Sequence, residues 1–128
     1  MPIPPSPADA DPPSRARRDA AIRAGQLAVR SERQGSTCVV GLSGELDLAT
    51  VPALEDELHR VEASDAAEIV LDLSALDFID SSGLQLIIAA DERSKANGKR
   101  LQLVPGQPHV HRIFVMTATV DRLPFSDS

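Results

Sequence analysis

From Thr37 to Val104 the apolar residues switch between a period of two and a helical period, and this alternation limits the fold more than any other feature. Thr37 to Leu42 is a β-branched run with the look of a strand. Val51, Leu54, Leu58 and Val61 then recur at helical spacing and make one apolar stripe. Glu68 to Leu73 reads as a buried central strand. A second helix is predicted from Ser82, with Leu84, Ile87 and Ile88 on its inner face and Asp91 to Lys95 as its polar exit. Leu101, Leu103 and Val104 form another strand, stopped by Pro105-Gly106.

Local signals place the boundaries. Leu27 and Val29 alternate with polar residues, and Gln34-Gly35-Ser36 is a turn signal, so a hairpin precedes the alternation. Gly44-Glu45-Leu46-Asp47 ends the second strand. Thr50 is placed to cap the first helix, with Pro52 where proline is tolerated. Asn97-Gly98 matches a left-handed C-cap. Val110, Ile113, Phe114 and Thr117 predict a third helix, and Leu123-Pro124-Phe125 a short last strand. The order β-β-α-β-α-β-α-β implies an α/β fold, one sheet with helices packed on it.

The first 24 residues are of another kind. Six of the ten prolines fall within the first 18 residues, beside Arg15, Arg17 and Arg18. Such a stretch buries too little apolar surface to offset its ordering entropy. It is expected to be a disordered tail over 1–24, with Asp19 to Ala24 helical in some contexts, and the domain to occupy 25–128. The tail holds four Arg against three Asp, so the acidic balance of the chain, −6 overall, lies in the domain.

That acidity disfavours a bare nucleic-acid binder, which would show a basic face. Only Phe78, Phe114 and Phe125 are aromatic, which argues against base-stacking platforms. Cys38 is the single cysteine, so an internal disulfide and a CxxC metal site are both excluded, and its apolar neighbours point to a buried thiol. No apolar run approaches the roughly 20 residues of a membrane span, and the N-terminus has no signal core, so the cytoplasm is expected. His59, His109 and His111 make no metal or catalytic set. No GxSxG elbow, P-loop or HExxH occurs, and no enzymatic activity is expected.

The chemistry concentrates at Leu76-Asp77-Phe78-Ile79-Asp80-Ser81-Ser82-Gly83-Leu84. A strand ends before this segment and a helix begins inside it. Ser81 and Ser82 therefore fall at a helix N-terminus, where free N–H groups and the positive dipole end point. A phosphate on such a serine carries about −1.5 to −2 charges, which a helix end tolerates. The plainer reading is that Asp80 and the serines cap the helix and Gly83 allows close packing.

From about Thr37 to Phe125 the chain resembles a STAS domain of the bacterial anti-sigma factor antagonist family. Three stretches carry the likeness. They are Gly44-Glu45-Leu46-Asp47 before a helix, Leu71-Asp72-Leu73-Ser74 leading to Phe78-Ile79-Asp80-Ser81-Ser82-Gly83-Leu84, and Asn97-Gly98-Lys99 before a strand, followed by Val110 to Phe114. The resemblance implies a single mixed sheet of about four to five strands flanked by about three helices. It implies phosphorylation at Ser82, with Ser81 as the alternative acceptor, and partner contact by Glu45, Asp47, Asp80, Ser81, Ser82 and Gly83. The implied partner is an anti-sigma factor serine kinase of histidine-kinase-like ATPase fold. The unphosphorylated chain would bind it and free a sigma factor, and a serine phosphatase would reset the cycle. ATP and magnesium would belong to that kinase, so no cofactor is expected here, nor direct contact with nucleic acid or membrane. Met116-Thr117-Ala118-Thr119 departs from the glycine-leucine turn common in relatives. The other role the resemblance allows is a STAS subunit of a transporter or a stress-signalling assembly.

Overall fold

In a computed structural model, residues 19–24, as backbone, and 26–126 are described. Five strands form one sheet in the order β1-β2-β3-β4-β5: Asp19–Ala24, Leu27–Gln34, Thr37–Leu46, Glu68–Ile79 and Arg100–Val104. Helices α1 (Val51–Glu62), α2 (Ser81–Asn97) and α3 (Pro108–Met116) follow β3, β4 and β5 in turn. The β1/β2 and β2/β3 pairs are antiparallel, whereas β3/β4 and β4/β5 are parallel, so the sheet is mixed.

Alternation along the strands decides which face is covered. Leu27 and Val29 of β2, Val40 and Leu42 of β3, and Ile69, Leu71 and Leu73 of β4 are buried in one core with Leu54, Leu58, Leu84, Ile87 and Phe114 of the helices. The intervening Arg30, Glu32, Val39 and Val70 are exposed or half-buried, as on a sheet with one wet face. Cys38 points into the core. Burial pushes its thiol up, against the fields of Arg60 and Arg33 and with that of Glu57.

Several boundaries differ from those read in the sequence. Asp19–Ala24 is a strand, not tail or helix, paired from Asp19↔Glu32 to Ala24↔Leu27. Six residues are too few for a stable lone helix, while the outer edge of β2 offers a row of backbone partners. Residues 1–18 lie outside the described residues. β3 does not end at Gly44, because irregularities in register at Gly41/Ser43 and Gly44/Glu45 let it continue to Leu46 beside an equally extended β4. Thr50 occupies the N-cap position of α1 without capping it. Its hydroxyl donates to the Glu45 carbonyl (3.0 Å) and accepts from the Asp47 N–H (2.9 Å), bracing the β3–α1 loop instead. At the polar exit of α2, Asp91 and Ser94 are buried. The last strand is only a bridge at Leu103↔Phe125, since Pro124 has no N–H to extend a ladder.

The turns that end α2 and α3 are closed by left-handed residues. Gly98, at φ 74°, ends α2. After α3 the Ala118 N–H donates to Val115 O (3.1 Å) and the Thr119 N–H to Phe114 O (2.9 Å), the paired bonds of a Schellman turn. That turn puts Ala118 at φ 60°, a place where a Cβ costs about 1–2 kcal/mol. Ala118→Gly is therefore expected to raise unfolding free energy by about 0.5–1 kcal/mol, after the extra entropy of the unfolded glycine. Urea denaturation checks this, and an unchanged or lower stability counts against the turn.

A buried polar cluster ties α1 to the hairpin. Ser31 and Glu57 are 1% and 3% exposed. Ser31 Oγ donates to Glu57 Oε2 (2.6 Å), and Arg60 donates to both oxygens (3.0 and 2.6 Å). Burial alone would push the Glu57 carboxyl up, but the hydrogen bonds from Arg60 and Ser31 outweigh it and hold the carboxyl below its ordinary range. A carboxyl depressed in the folded state contributes stability in full above its unfolded pKa and loses it as pH falls through the folded one. Wild-type stability should therefore fall more steeply below about pH 4.3 than that of Glu57→Gln. Denaturation over a pH series measures both slopes, and equal slopes would contradict the cluster.

Candidate functional site

Two loops meet at the C-terminal ends of β3 and β4. Their backbones are joined by the Asp80 N–H, which donates to Leu46 O (3.2 Å). In register, Glu45 lies beside Phe78 and Leu46 beside Ile79. The sheet thus brings Glu45, at the end of β3, and Asp47 just beyond it close to Asp80 and to Ser81, Ser82 and Gly83 at the start of α2.

Asp80 is the N-cap of α2. Its backbone is extended, and Oδ1 accepts from the N–H of Ser82 (2.9 Å) and of Gly83 (3.1 Å). Such a cap is worth about 1 kcal/mol. Asp47 acts similarly in the first loop, where Oδ1 accepts from the N–H groups of Ala49 and Thr50 (3.1 Å each). Both carboxylates hold their turns, and Glu45 is left exposed to solvent.

Gly83 is buried for a packing reason. A Cβ there would lie 2.8 Å from Leu46 Cγ and 2.9 Å from Ile79 Cγ1, both in the core. The first turn of α2 can therefore press on the sheet, and this presents the two preceding serines outward. Ser81 is exposed and Ser82 half-exposed. Both serines line an open groove of about 470 Å³ between α1 and α2, with Val51, Leu86 and Ala89 among its walls.

Sequence reasoning missed two neighbours. Leu48 and Phe78 are 74% and 47% exposed, within three residues of Val51 and Ser81 respectively. Phe78 had a sequence signal, an aromatic beside the buried Ile79 at a strand end. Leu48 had none, because exposure of a loop leucine depends on packing.

His109 and His111 serve the fold. His109 Nε2 contacts Asp77 O (2.7 Å), and the His111 ring lies 4.9 Å from that of Phe125, edge to face. Lys99 hydrogen-bonds the Ser64 carbonyl (3.0 Å) and that of Ala66, fastening the α1–β4 loop. Among the described residues no cluster of His, Cys, Asp and Glu could hold a metal ion, and no helix is long and apolar enough to cross a membrane.

A mixed sheet with helices after β3, β4 and β5, and an Asp-Ser-Ser-Gly helix start at the C-terminal end of β4, defines a class. The family model described as "Mlab, STAS domain" matches residues 29–123. The chain belongs to the STAS domain family. It is 40% identical over 55 residues to the anti-sigma-F factor antagonist RsfB of Mycobacterium tuberculosis, a match spanning 43% of this chain and 45% of that protein. The chain thus spans less than half the length of that relative. It is 28% identical over 95 residues to the anti-sigma-B factor antagonist of Staphylococcus aureus, covering 74% of this chain and 88% of that one. Its fold is similar to the crystal structure of an anti-sigma factor antagonist from Mycobacterium paratuberculosis. There the TM-score is 0.72 and identity 29%, over 80% of this chain and 86% of the other.

Proposed function

We propose that this chain is an anti-sigma factor antagonist governed by phosphorylation of Ser82. The observation that carries the proposal is the outward presentation of Ser81 and Ser82 at a capped helix start that lines a groove between two helices. The names of the relatives support the same reading. In the unphosphorylated form, the surface formed by Glu45, Asp47, Asp80, Ser81, Ser82 and Gly83 binds an anti-sigma factor serine kinase of histidine-kinase-like ATPase fold. A sigma factor is thereby freed. The kinase brings ATP and magnesium and phosphorylates Ser82, and a serine phosphatase restores binding.

The cap explains why the phosphate acts on the surface. The N–H groups of Ser82 and Gly83 are already engaged by Asp80 Oδ1. A phosphate on Ser82 cannot take those donors without displacing Asp80, so it remains at the groove with about −1.5 to −2 charges. Ser82 is ranked over Ser81 by the family motif, although Ser81 is the more exposed.

Affinity capture from the native lysate tests the reading, with wild type, Ser82→Ala and Ser82→Asp as baits and mass spectrometry to identify what is held. Retention of a kinase-like anti-sigma factor by the first two baits alone supports it. Retention of the same transporter ATPase or STAS assembly by all three would overturn it in favour of a structural subunit.

A further inference from the structure

The groove between α1 and α2 carries a charge that the fold does not use. Glu55 of α1 and Gln85 of α2 line it, together with apolar Val51, Leu86 and Ala89, and no lysine or arginine does. Of the other carboxylates of these helices, Glu57 pairs with Arg60, Glu62 with Arg93 and Asp91 with Lys95, whereas Asp56 and Glu92 are exposed and lie outside the groove. Glu55 has none among the described residues. Arg93 feels its field, but the side-chain hydrogen bonds Arg93 makes go to Glu62, at 3.0 Å each. A carboxylate with no counter-charge beside it can accept a cation supplied from outside.

We infer that the groove seats an arginine side chain of the protein partner, with Glu55 as its counter-charge; this rests on the anti-sigma factor reading above. Arginine suits the site because its planar guanidinium can grip a carboxylate with two hydrogen bonds while its stem lies along apolar walls. A protein surface fits better than a small molecule, because Leu48 and Phe78, each three residues along the chain from a groove residue, are exposed apolar side chains that offer uncharged contact outside the groove. The groove also links recognition to the switch. Ser81 and Ser82 line the same groove, so a modification there falls on the surface that the arginine would occupy.

Calorimetry with the purified anti-sigma factor tests this on wild type, Glu55→Arg, Glu55→Gln and a control, Glu32→Arg, which makes the same charge change on the open face of the sheet. Glu55→Arg should weaken binding by about 30-fold or more, and Glu55→Gln by less, with unchanged thermal midpoints. Glu32→Arg should stay within about 3-fold, as for a charge outside the contact. Wild-type affinity in Glu55→Arg, or an equal loss in Glu32→Arg, overturns the inference alone. If wild type binds no anti-sigma factor, the functional reading fails and this falls with it.

Discussion

Gly44→Ala is expected to destabilise the domain by about 2–5 kcal/mol, the sum of a left-handed backbone penalty and overpacking. Gly44 has φ 97°, and a Cβ there would fall on the carbonyl oxygen of Gln26, a backbone atom that cannot swing aside. The Glu45 N–H donates to that same carbonyl (3.0 Å), so the neighbouring strand is held in place by the bond the methyl group would break. The damage reaches the site, because Gly44 directly precedes Glu45 in β3, whose end leads into Asp47. Gly35 is the control. Its φ of 65° is also left-handed, but a Cβ there meets nothing within 4 Å, so Gly35→Ala should cost only about 1–2 kcal/mol. Urea denaturation of both variants measures the difference. Equal losses would mean that the close approach to Gln26 contributes nothing.

Ser82→Asp is expected to weaken binding to the anti-sigma factor by about 100-fold or more, whereas Ser82→Ala should bind as wild type does. The carboxylate would stand beside Asp80, whose oxygen is committed to the helix end. Two like charges would then have to be desolvated together when the partner closes over the groove. An uncompensated buried charge costs about 3–5 kcal/mol, which is two to three or more powers of ten in affinity. The fold should not suffer, since Ser82 is half-exposed and the serine hydroxyl lies outside the core. Calorimetry gives the affinities and thermal melting the stabilities. A variant that melts normally yet keeps wild-type affinity would show that charge at this position is not read by the partner.

The central architecture was legible because apolar period maps directly onto burial. The stripe Leu54, Leu58 and Val61 is the buried face of α1, and Leu71 and Leu73 are inward residues of β4. The Asp80 cap and the Gly98 terminus were legible for a different reason, as side-chain and backbone chemistry that acts within a few residues. What escaped depends on contacts distant in sequence. β1 exists because β2 offers it an edge, and no local pattern in Asp19–Ala24 announces that. The continuation of β3 through Gly44 needs bulges that only the pairing with β4 reveals. Glu57 was an ordinary helix carboxylate until Ser31, 26 residues away, was seen to donate to it. The serines of the site could be named from the sequence, but their groove could not, because it is formed by two helices whose spacing is set by the core.

The most direct test of the switch is to incubate the chain with the purified anti-sigma factor and magnesium-ATP, following phosphate position by peptide mass spectrometry and complex lifetime by surface plasmon resonance. The account predicts one phosphate on Ser82, absent from Ser82→Ala and retained by Ser81→Ala, with the complex dissociating as phosphorylation proceeds. A complex that persists after Ser82 is fully phosphorylated, or a chain that stays unmodified while bound to an active kinase, would contradict it.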